Sequence, residues 1–300
     1  AGYRAGSADR LLVGVVRGRL PTHATELAAE LDTTLVESSG ERYTVAVADT
    51  TAAAQELHRI AARHTHAALL LGQVLRRTEH LPVPHALDVE SLAYSTLLGT
   101  PDFRRWLHER GLRPLPPPAP QEPVLLRRDG EVLHLTLNRP ERRNAYGAEV
   151  RDALVEALHV ARADETVTRV VLDGAGPVFS AGGDLDEFGT TPDLATAHLI
   201  RTRAGAGRLV AELAARIEAH LHGSCIGAGI EIPAFASRVV ATPGTLFRLP
   251  EVSMGLIPGA GGTVSIPRRI GRWRSLWLFL TGVALDAETA LSWGLVDALD

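Results

Sequence analysis

Apolar positions along this chain change their period near its middle. The continuous apolar run 11–16 predicts a strand, the segment 22–31 a helix, and the alternating YTVAVA of 43–48 a second strand. Beyond these the spacing lengthens to that of helices, predicted over 52–63, 67–77, 88–98 and 101–107, the last with Pro101 near its first turn. Residues 111–123 contain six prolines and read as an extended linker. After it, 124–127 and 132–137 predict a hairpin around Asp129-Gly130. A helix over 148–162, a strand over 170–173, a long helix over 193–214 and a strand over 216–222 follow. Another helix, a strand over 238–241 and further helices close the sequence. Repeated β-then-α order predicts an α/β fold. The strand over 216–222 alternates Ile217, Ala219 and Leu221 with Glu218, His220 and His222. Three polar groups on one strand face require partners, so they form either a satisfied structural network or part of a modified pocket.

Composition narrows the chemistry. The 300 residues suffice for one large domain or two ordinary ones. A net charge of -4 gives no electrostatic reason to expect nucleic acid. The early apolar run is too short to span a membrane, so no membrane partner and a cytoplasmic location are expected. Cys225 is the only cysteine, which fits a reducing compartment and a buried thiol. All 31 basic residues are arginine, because the sequence contains no lysine. Schiff-base and pyridoxal chemistry are thereby excluded, and an anionic ligand must be held by guanidinium groups or backbone amides.

Two stretches of small residues follow predicted strands: Phe179–Asp184 (FSAGGD) and Gly223–Glu231 (GSCIGAGIE). Taken alone, either is a tight strand-to-helix turn. Taken together, they offer two free backbone N–H groups that can converge on one oxygen, an oxyanion hole in which one donor is worth about 3 kcal/mol. Bare backbone at Ala181-Gly182-Gly183 would let a substrate carbonyl approach an amide. Neither GSCIGAG nor GAGGTV (259–264) has dinucleotide or phosphate-loop spacing, and Ser180 lacks a G-x-S-x-G elbow. Glu231 lies just inside the helix opened by the second loop, and Glu251 precedes a third small-residue stretch. Two carboxylates beside such a hole can move protons at carbons next to a carbonyl.

Five motifs then occur in a telling order: LNRPERRNA (137–145), FSAGGD, GSCIGAGIE, PEVSMGLIPGAGG (250–262) and a closing Gly282 with ALSWGLVD (290–297). Over about residues 122–300 the chain resembles the enoyl-CoA hydratase/isomerase (crotonase) superfamily. The resemblance implies a crotonase-like ββα spiral core with an additional helical region. It implies that Gly183 and Ala228 donate the oxyanion N–H groups to a thioester oxygen. It further implies that Ala181 offers its carbonyl to the adenine of coenzyme A and that Asp184 shapes the acyl pocket. Arg142 or Arg143 would meet coenzyme A phosphate. Glu231 and Glu251 fall on the two acids of the hydratase branch, which favours hydration of a 2-enoyl-CoA or the reverse dehydration. No cofactor or metal is implied beyond coenzyme A as part of the substrate. Ala228 and His222 depart from the usual small residue and asparagine.

Members of the resembled family carry further helices after the closing motif, whereas this sequence ends at Asp300. The order of residues 43–113, including Thr100-Pro-Asp-Phe, is similar to that helical region. The expected organisation is therefore an extension of unknown role (1–42), a helical region (43–113) either permuted from the C-terminus or an ordinary extension, a linker (114–123) and a core (124–300). A homo-oligomer, a trimer or dimer of trimers, is implied. Competing readings are a double-bond isomerase, a cofactor-independent acyl-CoA dioxygenase and a non-catalytic acyl-CoA-binding partner, and the carrier is either coenzyme A or a carrier-protein thioester.

Overall fold

The computed structural model describes residues 9–38, 40–111 and 113–300. Residues 1–8 and Ser39 of the N-terminal extension and Leu112 of the helical region lie outside the described residues. The chain begins with β1 (Val13–Val15), α1 (Thr25–Glu30), β2 (Thr33–Val36) and β3 (Thr44–Ala46). These strands form a parallel sheet in the order β1-β2-β3. The middle strand, TTLV, was not foreseen, because a four-residue segment with two threonines carries little periodic signal. It is fully buried. The helix expected over 22–31 is a 3-10 turn followed by α1, because Pro21 precedes a first turn that no side chain caps.

Helices α2 (Thr50–Arg63), α3 (Thr65–Thr78), α4 (Val83–Leu98) and α5 (Pro101–Arg110) come next. Asp49 caps α2, its Oδ1 accepting from the N–H of Thr51 and of Ala52 at 2.9 Å each. Along α3, Ala67, Ala68, Leu71, Val74, Leu75 and Thr78 are buried, one face of a 3.6-residue period. That face shares a single apolar core with the later strands rather than forming its own.

The main sheet starts with the hairpin β4 (Val124–Asp129) and β5 (Val132–Leu137). On β5, Leu133, Leu135 and Leu137 point inward and alternate with His134 and Thr136, as a half-buried strand requires. Then come α6 (Ala148–Ala163), β6 (Arg169–Gly174), α7 (Leu194–Ala204), α8 (Ala206–Glu212), β7 (Ile217–Leu221) and β8 (Ser224–Ile226). The long helix expected over 193–214 is two helices, broken at Gly205, whose φ of -72° and ψ of 125° are extended. The chain continues through α9 (Ala228–Glu231), β9 (Arg238–Ala241), β10 (Leu246–Arg248), α10 (Gly262–Ile270) and α11 (Arg272–Thr281). It closes with β11 (Leu285–Asp286), α12 (Ala287–Trp293) and β12 (Ala298–Leu299). Helix α9 is a single turn, because Pro233 begins a 3-10 turn directly behind it. The six-stranded sheet runs β12-β9-β7-β6-β5-β4, parallel except for the hairpin. A smaller sheet, β11-β10-β8, lies beside it.

The N-terminal sheet is fastened to α11. Arg272 donates to the carbonyls of Leu31 and Ala29, and the Trp273 indole N–H donates to Ala29 at 3.0 Å. Asp32, buried beneath it, takes the Arg76 guanidinium on both carboxylate oxygens.

Candidate active site

After β6 the chain turns back through residues 179–183 and runs beside β8. The Ser180 N–H donates to the Ser224 carbonyl at 3.3 Å, and the Ile226 N–H donates to the Ser180 carbonyl at 3.0 Å. Glycine is needed at two points. Gly182 sits at φ +85°, where a Cβ would stand 2.5 Å from the Ile226 carbonyl oxygen. Gly227 sits at φ +49°, where a Cβ would stand 2.6 Å from Glu251 Oε1. The first glycine lets the two loops touch; the second leaves space for a carboxyl group. Directly after them, the N–H groups of Gly183 and Ala228 donate to no acceptor among the described residues. Both residues border one cavity of about 250 Å³, whose wall also contains Glu231 and Glu251.

The carboxyl groups are held differently. Glu231 ends α9 and is buried, its Oε2 accepting from the N–H of Ala260 at 2.8 Å and of Gly262 at 2.9 Å. Glu251 opens a 3-10 turn over Glu251–Met254, and its buried Oε2 has no partner among the described residues. The Oε1 atoms of both acids face Gly227, 3.6 Å and 2.6 Å from where its Cβ would be. A third acid arrives from the other half of the chain. Glu90 on α4 accepts from the Gly261 N–H at 2.8 Å on Oε1, and from the Thr263 N–H at 2.9 Å and hydroxyl at 2.7 Å on Oε2.

Burial pushes the pKa of all three acids up, and Glu231 is raised further by the charges of Glu251 and Glu90. Backbone N–H donors pull Glu231 and Glu90 back down. The two acids differ in their donors: Glu231 Oε2 accepts two backbone N–H groups, which favour its anion, whereas Glu251 Oε2 has none among the described residues.

The other residues expected at the site are placed as follows. Ala181 donates its N–H to the Arg143 carbonyl at 2.9 Å, and its own carbonyl accepts no bond among the described residues. Asp184 is buried in the cavity wall. Arg142 grips Asp184 with two N–H groups at 3.0 and 2.8 Å and also reaches Asp186 at 2.9 Å. These acids hold the guanidinium charged and raise its pKa. Arg143, at φ 54°, is exposed and its side chain has no ion pair among the described residues. Cys225 is buried and its thiol pKa is raised by burial, as a structural thiol requires. Glu218 binds Arg169 at 2.7 Å and His220 at 2.9 Å, and His222 meets the Gly176 carbonyl at 3.0 Å. None of the three lines the cavity, so the polar strand face is a satisfied network.

Sequence reasoning missed Glu90, Tyr94 and Arg201, all in the cavity wall. A signal for two of them was present: on α4, Leu87, Glu90, Tyr94 and Leu98 share one helical face, and an acid stands on that otherwise apolar stripe.

A family model described as Enoyl-CoA hydratase/isomerase matches residues 127–300. The chain belongs to the enoyl-CoA hydratase/isomerase family. It is 36% identical over 170 residues to the 1,2-epoxyphenylacetyl-CoA isomerase of Escherichia coli K12, covering 55% of this chain and 64% of that protein. It is 36% identical over 173 residues to the 2,3-dehydroadipyl-CoA hydratase of the same organism, covering 58% and 67%. The chain thus spans about two thirds of the length of these relatives. Among solved structures, the enoyl-CoA hydratase of Thermoplasma volcanium superposes with a TM-score of 0.56 at 30% identity, covering 60% of this chain and 72% of that one. The crotonase-like core expected from the sequence is thereby established. Among the described residues, no helix is long and apolar enough to cross a membrane.

Proposed function

We propose that this family member acts on acyl-CoA or related acyl thioesters, hydrating a 2-enoyl thioester or dehydrating the 3-hydroxyacyl product. The observation that carries this reading is one cavity bordered by two unused backbone N–H groups, at Gly183 and Ala228, and by two carboxyl groups, Glu231 and Glu251. The two amides receive the thioester oxygen and stabilise its charge as electron density moves from the double bond. Glu231, its Oε2 tied to Ala260 and Gly262, presents Oε1 as general base and takes a proton from water as the water oxygen bonds to C3. Glu251, carrying a proton, delivers it to C2. One proton is taken and one given, so the pair is recharged by passing a proton from Glu231 to Glu251 between turnovers. Isomerisation needs only one such acid; two acids facing one glycine favour hydration.

In the same reading, Ala181 offers its free carbonyl to the adenine of coenzyme A, and the unpaired Arg143 meets a coenzyme A phosphate. Arg142 acts on the site by holding Asp184 in the acyl pocket. Helices α2–α5 stand in for the helical region that the resemblance places after the core, a permuted arrangement. Its support is that α4 brings Glu90 and Tyr94 into the cavity wall and that Asp102 and Phe103 of α5 pack against Gly255, next to the turn bearing Glu251. Homo-oligomeric assembly and a cytoplasmic location belong to the same proposal.

The test is turnover of 2-enoyl-CoA thioesters in ¹⁸O-labelled water. Label appearing in a 3-hydroxyacyl product supports the hydratase; double-bond migration without label makes the chain an isomerase, and bound but unconverted thioester makes it a binding partner.

A further inference from the structure

We propose that the acyl group handled here ends in an anionic oxygen, a carboxylate or an acidic enol, and that Arg201 receives it. This inference rests on the thioester reading above. Arg201 projects from α7 into the wall of the cavity that contains Gly183 and Ala228. Three arginines border that cavity. Arg208 is paired with Asp88 at 2.8 Å and Arg151 with Asp152 at 2.7 Å. Arg201 has no carboxylate partner among the described residues; its bonds all go to neutral groups. Nε donates to Ser91 Oγ at 3.2 Å, and Nη2 donates to the Ser91 carbonyl at 3.3 Å and to Ser95 Oγ. The guanidinium lies over the Tyr94 ring, 4.6 Å from its centroid. Neither N–H of Nη1 has an acceptor among the described residues.

The charge balance around this group points the same way. A guanidinium cannot shed its proton to relieve burial, so it remains a cation that gains most from a planar anion. Burial pulls the pKa of Arg201 down, the mark of a desolvated charge still lacking its counter-ion. Glu90 is the acid that acts on it electrostatically, but both Glu90 oxygens are committed to Gly261 and Thr263. The surroundings are also built rather than loose. Ser91 Oγ is shared with His198 Nδ1 at 2.9 Å, and the Tyr94 ring is pressed so closely on Gly259 that a Cβ there would fall 2.2 Å from it. The Tyr94 hydroxyl has no hydrogen-bond partner among the described residues and, because burial raises its pKa, stays a proton donor. A plain alkyl terminus would leave the Nη1 N–H groups of Arg201 without an acceptor, whereas an anionic oxygen supplies one.

The experiment compares three thioesters of equal acyl length, ending in methyl, in carboxylate and in a β-dicarbonyl enol. Wild type is set against Arg201→Met and Arg201→Lys. Turnover gives kcat/KM for the unsaturated forms, and calorimetry gives Kd for the saturated ones. The expected result is a preference of at least about 10-fold for one anionic terminus over methyl, collapsing towards one in Arg201→Met and partly restored in Arg201→Lys. Which anionic thioester is preferred identifies the source of the oxygen. Hydration of the methyl thioester with no preference overturns this proposal while leaving the hydratase reading intact. Selective, Arg201-dependent binding without any turnover does the reverse. No binding of any thioester overturns both, whereas a uniform loss across all three in Arg201→Met overturns only the specificity assigned to that residue.

Discussion

Glu231 and Glu90 take alternate amides of one loop. Glu231 accepts from Ala260 and Gly262, Glu90 from Gly261 and Thr263, so four consecutive N–H groups at the start of α10 end on two buried carboxyl groups. Those of Gly261, Gly262 and Thr263 are among the amides that the geometry of a helix leaves without intrahelical partners. One acid comes from the family core and the other from α4, which lies before the linker. The position of the Glu231 carboxyl group is thus set in part by a residue outside the family match.

Ala228→Pro removes one of the two backbone N–H groups proposed to receive the thioester oxygen, while keeping a residue suited to the first position of a helix. Hydration should fall by about 100- to 1,000-fold with KM changed far less, as loss of a single such donor does. Steady-state kinetics check this. An unchanged kcat would show that the Ala228 amide does not meet the thioester oxygen.

Glu231→Gln and Glu251→Gln each remove one of the two carboxyl groups proposed to transfer protons. Each should lower kcat by about 10²- to 10⁴-fold, and the double variant should be little worse than either single one, because the pair acts as a unit. A single variant retaining full hydration would refute the assignment.

Glu90→Ala strips the acceptors from two buried amides and one hydroxyl. The expected destabilisation is about 2–4 kcal/mol, from leaving buried donors unsatisfied, with kcat lowered as the loop around Glu231 loosens. Urea denaturation and turnover measure the two effects. Glu90→Gln keeps the shape but turns an NH₂ towards an N–H, so it should recover only part of both.

Stability should fall as pH rises from about 5 to about 9. Burial raises Glu90 from 4.5 to about 7 and Glu251 from 4.5 to about 8. In that window the folded chain binds more protons than the unfolded one, so the contribution is complete below pH 4.5 and is lost as pH passes these higher values. Thermal melts across the range check the sign. The fall should be shallower in Glu251→Gln, and identical slopes in wild type and variant would mean that Glu251 is solvated in the folded state.

Local patterns in the sequence were sufficient for much of this protein. The two-residue alternation of Leu133, Leu135 and Leu137, the proline tract and the helical spacing of Leu71, Val74 and Leu75 each act over a few residues, so hydrophobic burial determines them without reference to the rest of the chain. The order of the small-residue motifs likewise brought Gly183, Ala228, Glu231 and Glu251 to attention as one candidate site. Their convergence on a single cavity, the break at Gly205 and the burial of TTLV in β2 depended on how distant segments pack. So did the partners of Glu90, whose place on an apolar helical stripe was all that the sequence showed, and those of Arg201, which differs from the other arginines only by its surroundings. A side chain's charge is written in the sequence, but its desolvation and its partners are set by whatever the fold stacks on it, and for Glu90 that information lies 173 residues away, at Thr263.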